Sequence, residues 1–307
     1  MNLRQLKYFV HVVEVRNLTR AAEALHVAQP ALSQQMALLE DGLGVRLLLR
    51  GPKGVVPTDE GMLLYRHAQT ILRQVDSTRS LLSRAADQIT GTVSIGLASS
   101  TARILALPLM QRVKAELPGI VLEIVDIPSA DLTKLVLQGR LDFSLSPDQQ
   151  PLQGLVHETL LKEELLLLTP PSWKLARRRP RIADIAKIPL ILPSLPNTLR
   201  ARVDHAFLTA GHTTNLYAEA STSAILIPAV HMGAAATILP HSAAHAEIAN
   251  GTITASSTDM RLSRELALCA SNSLPLTPAV MQVMELCKTE IRRLIEDGKW
   301  QACRPLF

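Results

Sequence analysis

The chain has 307 residues, 47% of them apolar and 3% aromatic, with a formal net charge of +5. That length fills more than one domain with real cores, while so few aromatic rings exclude a stacking platform for single-stranded nucleic acid. Cys269, Cys287 and Cys303 lie far apart without Cys-x-x-Cys or Cys/His spacing, which argues against a disulfide framework and a zinc site and fits a reducing cytoplasm.

Leu6, Phe9, Val10 and Val13 make one apolar stripe and predict a first helix. Arg4 and Lys7 interrupt it, so it is not the core of a signal peptide. Leu18, Ala21, Ala22 and Leu25 recur at i, i+3, i+4, i+7 and predict a short second helix, with Asn17 or Thr19 as its cap. After a tight turn a third helix is expected to start at Pro30, with Gln29 as cap. In it Leu32, Met36, Leu39 and Leu43 form the buried ridge, so Pro30, Ser33, Gln34 and Ala37 face outward. Short polar groups at such a helix start can reach base edges in the major groove.

Leu47 to Arg50 and Val55 to Pro57 then read as two short strands around Gly51-Pro52-Lys53-Gly54, a wing with cations at its tip. Arg50 and Lys53 are placed to neutralise phosphates. Residues 1–90 carry eleven Lys and Arg against eight Asp and Glu, a surplus too small for indiscriminate coating of DNA.

This stretch resembles the LysR-type transcriptional regulators. The resemblance rests on Ala21-Ala22, Leu25, Gln29-Pro30-Ala31-Leu32-Ser33, Leu39-Glu40, Leu43-Gly44, Leu47, Arg50, Pro57-Thr58 and Gly61, in order over one continuous stretch. The family's usual aromatic after the leucine of the wing strand is Leu48 here. It implies a regulator that binds an interrupted palindrome in double-stranded DNA as a homodimer or homotetramer. It further implies RNA polymerase as a partner, activation of target genes and repression of its own. Arg20, Gln29, Pro30, Ser33, Gln34, Arg50, Lys53 and Thr58 are the expected DNA-binding residues. Leu6-Lys7-Tyr8-Phe9-Val10, Ala28 to Gln35, Leu192-Pro193-Ser194 and Leu199 to Asp204 are similar to the nitrogen-assimilation subgroup of that family.

Thr58 can cap a long helix with Asp59 and Glu60 at its positive end, and no Gly or Pro falls between Gly61 and Gly91. Leu64, Ala68, Ile71, Val75, Thr78, Leu82, Ala85 and Ile89 alternate spacings of four and three, a coiled-coil seam that wants a partner helix. At 1.5 Å per residue such a helix would span about 48 Å. Packing on its own domain is the other reading.

From Gly91 the pattern alternates. Thr92 to Ala98, Ile120 to Val125, Leu141 to Leu145, Glu158 to Thr169, Asn215 to Glu219, Ala235 to Leu239 and Arg264 to Ala270 read as strands. Ile104 to Leu117, Leu132 to Gln138, Leu199 to Leu208, Ala224 to Val230 and Pro278 to Ile295 read as helices. This gives an α+β multidomain chain: a winged helix-turn-helix over 1–58, a linker helix over 59–90 and an effector domain over 91–307. The last resembles the two-lobed α/β, periplasmic-binding-protein-like domain of the family, with lobe I at about 91–161 and 268–307 and lobe II at about 162–267.

Ser99, Ser100, Thr101 and Ser129 follow strands and open helices in one lobe, and Ser194, Asn197 and Thr198 precede a helix in the other. They are expected to hold a small, anionic effector in the cleft between lobes. Ordinary N-caps would look the same. Arg103 reads as solvated.

No Gly-x-Ser-x-Gly, Gly-x-x-x-x-Gly-Lys or Gly-x-Gly-x-x-Gly occurs, and the nine histidines show no ligand spacing beside acids. An enzyme is not expected, and neither a cofactor nor a metal. The stretch Ile225 to Pro240 is shorter than a membrane span and is read as buried helix and strand. A transport-type solute-binding protein is the remote alternative, opposed by the attached DNA reader and the expected lack of a signal peptide. An effector-independent regulator controlled by its abundance is the nearer one.

Overall fold

The computed structural model describes residues 1–51, 54–82, 89–150, 152–173, 175, 177–273 and 275–307. It divides into two compact units, Met1–Arg84 and Ala85–Phe307.

In the first unit α1 (Leu3–Val15) opens with a capping box between Asn2 and Gln5. α2 (Leu18–Ala24) is capped by Asn17. α3 runs Gln29–Leu43, so Gln29 is its first residue and Ala28, not Gln29, is the N-cap, with no side-chain bond. Pro30 fits that first turn because no partner awaits its missing N–H. α3 ends at Gly44, whose φ of +69° is the left-handed stop glycine tolerates best. Phe9, Val12, Ala21, Leu32, Met36 and Leu39 are buried together as the core of these helices. Leu43, expected in the ridge, is 38% exposed because the helix has run past the core by that turn.

β1 (Leu48–Gly51) and β2 (Gly54–Pro57) pair antiparallel as the wing. The wing is anchored from two sides. Glu40 Oε1 accepts the amides of Leu47 and Leu48 at 2.7 and 3.0 Å, and Val55 N donates to Arg16 O at 2.9 Å. α4 (Asp59–Leu82) begins so close to β1 that a Cβ on Gly61 would stand 2.1 Å from Leu47 O.

The second unit is built on β3 (Gly91–Leu97), α5 (Ser99–Glu116), β4 (Ile120–Asp126), α6 (Ser129–Leu137), β5 (Phe143–Pro147) and the long β6 (Leu155–Thr169). α7 (Ile182–Ile185), β7 (Leu190–Leu192), α8 (Thr198–Thr209), β8 (Leu216–Glu219), α9 (Ser223–His231) and β9 (Thr237–Pro240) follow. A 310 turn at His241–Ala243 leads to α10 (His245–Ala249), β10 (Thr254–Ser256), β11 (Ser263–Ser271), α11 (Pro278–Glu296) and β12 (Cys303–Pro305).

β3, β4 and β5 are parallel, and β11 returns antiparallel between β5 and β6. The far half of β6 pairs instead with β9 and β10. β6 therefore passes through two lobes, because its apolar run is long enough to serve two cores. Leu160 and Leu161 belong to one, with Phe143, Val283 and Trp300. Leu165 to Leu168 belong to the other, with Val203, Phe207 and Ile238. At the passage Glu163 and Arg264 are both buried and pair at 2.6 Å, and Trp300 Nε1 donates to Glu163 at 2.7 Å. A buried ion pair holds only if its spare hydrogen-bonding positions are satisfied. Here Ser100 supplies one more acceptor at 2.9 Å, and Thr101 and Ser242 further ones at 3.4 Å. The three cysteines are free, and burial pushes the thiol of Cys269 up to about 11 and those of Cys287 and Cys303 to about 12.

Candidate nucleic-acid interface and effector cleft

On α3 the ridge of Leu32, Met36 and Leu39 turns Pro30, Gln34 and Ala37 to the exposed face, with Gln29 and Ser33 half-buried at its edge. Arg50 comes from β1 and is exposed, but it is not independent of the helix: its Nη1 donates to Ser33 Oγ at 2.7 Å. Arg20 is exposed on α2. Thr58 is engaged within the protein, donating to Arg46 O at 2.8 Å and accepting from Gly61 N at 2.9 Å as the cap of α4. Its one donor hydrogen is thus already committed within the protein. Lys53 lies outside the described residues.

The expected seam of α4 divides. Leu64 packs on the core of its own unit and Ala68 is buried there, while Ile71 and Val75 are half-buried and Thr78 is exposed. Ala85 and the side chain of Leu82 lie outside the described residues. Ile89 is not helical and packs against the core beside β3, so it does not extend the seam: its apolar side chain is taken up by the lobe that follows.

In the second unit Ser99, Ser100, Ser129, Asn197 and Thr198 line one cleft of about 60 Å³. α5 and α6 both open there, and neither has a side-chain cap, which leaves their first amides to a ligand or water. Asn197 Oδ1 is committed, capping α8 through Arg200 N at 3.1 Å. Two of the expected residues lie outside the cleft. Thr101 is fully buried one position below the cleft floor, within reach of Arg264, and Ser194 is half-buried but does not line the cleft. Arg103 is not a free surface cation either: half-buried, it pairs with Glu247 of α10.

Sequence reasoning missed the charged members of the cleft, Asp148 and Arg264, and the hydroxyls of Ser221 and Ser223. Ser223 opens a helix after a predicted loop and was findable by the same rule that found Ser99. Asp148 adopts φ +53° after β5 and its side chain is 4% exposed. Its Oδ1 accepts from Arg202 at 2.7 Å and from Glu265 N at 3.1 Å, while Oδ2 accepts no hydrogen bond. Burial pushes this carboxyl above the usual carboxylate range, and burial does the same to Asp126, against the opposing bond from Ser99. Ser99 Oγ also stands 3.2 Å from Thr222 Oγ1, across the cleft.

Residues 3–62 match the bacterial regulatory helix-turn-helix family named for lysR, and residues 86–292 match the LysR substrate binding domain. The chain belongs to the LysR family. It is therefore a DNA-binding transcriptional regulator and not an enzyme. The LysR regulators most similar in sequence include the nitrogen assimilation regulatory protein Nac of Escherichia coli, 38% identical over 306 residues, 98% of this chain and 99% of that one. Nac of Klebsiella aerogenes is also 38% identical, covering 92% of this chain and 94% of its own. In fold the chain resembles full-length CbnR, solved with its target DNA, at a TM-score of 0.71 and 23% identity over 94% of this chain and all of that one. Among the described residues of this LysR regulator, no cluster of His, Cys, Asp and Glu could hold a metal, and no helix is long and apolar enough to cross a membrane.

Proposed function

We propose that this LysR regulator reads an interrupted palindrome in double-stranded DNA by placing α3 in the major groove. Gln29, Pro30, Ser33 and Gln34 meet base edges, and Arg20, Arg50 and Lys53 neutralise phosphates. The supporting observation is the outward aim of Pro30 and Gln34 on a helix whose opposite ridge is buried. Residues 1–58 act as the reader, 59–90 as the dimerisation linker and 91–307 as the effector domain, in a homodimer or homotetramer in the cytoplasm. Such an assembly presents two readers to two half-sites, activates its targets through RNA polymerase and represses its own gene.

The cleft takes a small anion at the open starts of α5 and α6. Asp126 and Asp148 disfavour a second negative charge, and the free Asp148 Oδ2 favours a ligand that also carries a donor, such as an amino or hydroxyl acid. A second reading, regulation by abundance without an effector, draws support from the small volume of the cleft and from Ser99–Thr222 bridging it. At roughly 10–15 Å³ per water, the cleft as folded holds only a few solvent molecules.

Genomic footprinting of the purified protein followed by Gln34→Ala tests the reader. The substitution is expected to cost about 1–3 kcal/mol on the footprinted site and almost nothing on unrelated DNA. Equal losses on both would remove α3 from the groove.

A further inference from the structure

A groove of about 680 Å³ opens on the second unit and shares no residue with the effector cleft. Lys162 and Glu164 from β6, Arg304 from β12, and Arg179, Thr258 and Arg261 from loops line it. Four cations thus face one carboxylate.

Their placement is costly without an anion. Arg304 and Lys162 are direct partners in the antiparallel pairing of β12 with β6, and like charges in that relation repel. Among the described residues Lys162 pairs with Glu265 alone, at 4.0 Å, and Arg179, Arg261 and Arg304 form no salt bridge. Arg261 is also held at φ +48°, a conformation L residues rarely adopt. Thr258 supplies an independent sign of a missing partner. It is 3% exposed, lines the groove, and its hydroxyl makes no hydrogen bond. Leaving such a buried hydroxyl unsatisfied is destabilising.

We infer that this groove binds a phosphate-bearing small molecule, separate from the cleft. Arginine forks suit the paired oxygens of a phosphate, and the volume falls within the roughly 300–1,000 Å³ of small-molecule sites. The polar, cationic lining excludes an apolar ligand. Side chains alternate along a strand, so Lys162 and Glu164 face the groove from one side of β6 while Glu163 points to the other, into its pair with Arg264. A ligand in the groove thereby acts on the strand that carries the interlobe ion pair.

Calorimetry on the full chain at low salt with inorganic phosphate, pyrophosphate and a nucleoside monophosphate tests the site. The expected result is binding that weakens with added salt. It falls tenfold or more in Arg261→Gln/Arg304→Gln and severalfold in Thr258→Val, and is unchanged in the cleft variant Ser129→Glu. Arg261 and Arg304 are exposed, so unaltered circular dichroism is expected for their double variant. Tighter binding of the monophosphate than of inorganic phosphate identifies an ester as ligand, and equal affinities identify the free anion. Absence of binding by the parent at millimolar anion, undiminished binding by either groove variant, or loss of binding in Ser129→Glu overturns the assignment. So does a double variant whose operator affinity falls while its anion affinity stays, which would give the groove to DNA.

Discussion

Arg50 donates to Ser33 across 2.7 Å and so joins the wing strand β1 to α3. One of the two was expected to contact phosphate and the other a base, yet they form a single hydrogen-bonded element at the surface. The wing then orients the helix side chain as well as carrying a cation. A double-mutant cycle with Arg50→Ala and Ser33→Ala, read by operator affinity, should give a coupling energy of about 0.5–3 kcal/mol. Strictly additive losses would mean that the bond has no part in binding.

Val75 is a half-buried apolar residue of α4 beyond Met62, Leu64 and Tyr65, which pack on the core of the first unit. A carboxylate there would have to be desolvated against a second copy of the helix. Val75→Asp should cost on the order of 3 kcal/mol of dimer stability, more than a hundredfold in dimer Kd. Sedimentation equilibrium showing an unchanged dimer would free α4 from the interface.

Ser129 opens α6 at the cleft wall without a side-chain cap in front of it. Ser129→Glu puts a negative charge where the anion of an effector would sit, and should lower effector affinity tenfold or more, about 1.4 kcal/mol. Operator binding should survive, since the cleft is far in sequence from the reader. Calorimetry with metabolites of the regulated pathway measures the loss, and an unchanged affinity would move the ligand elsewhere.

His241 opens the 310 turn and His245 opens α10 just after it; burial lowers both pKa values, with the neighbouring His245 adding to the effect on His241. The fold therefore favours the neutral rings. Their contribution to stability is complete above the unfolded value near 6.5 and is lost as pH falls below it through the depressed folded values. Differential scanning of the full chain should show the Tm of the second unit falling by about 2–4 °C between pH 7 and pH 5. His245→Gln should flatten that slope. Asp126 and Asp148, raised by burial, act in the opposite sense, favouring the fold as pH falls through their raised values.

Much of the reader was legible because its signals are local. The ridge of Leu32, Met36 and Leu39 follows from helical period alone, and it sets which face of α3 carries Gln34. The hydroxyls at the starts of α5 and α6 were likewise found by position, since a strand end followed by a helix start turns polar groups toward one side of a parallel sheet. What period and position could not decide was depth. Ser100 and Thr101 are neighbours on one helix turn, yet Ser100 lines the cleft and Thr101 lies beneath it. Nor could they decide charge. Glu163 and Arg264 stand 101 positions apart and meet through the register of β6 with β11, and Asp148 enters the cleft through the turn after β5. The same holds for Ile89, whose apolar side chain fitted a seven-residue repeat but is packed against the next core. Helical period and capping depend on residues a few positions apart, whereas burial depth and the partner of a charge are set by segments brought together from distant parts of the chain.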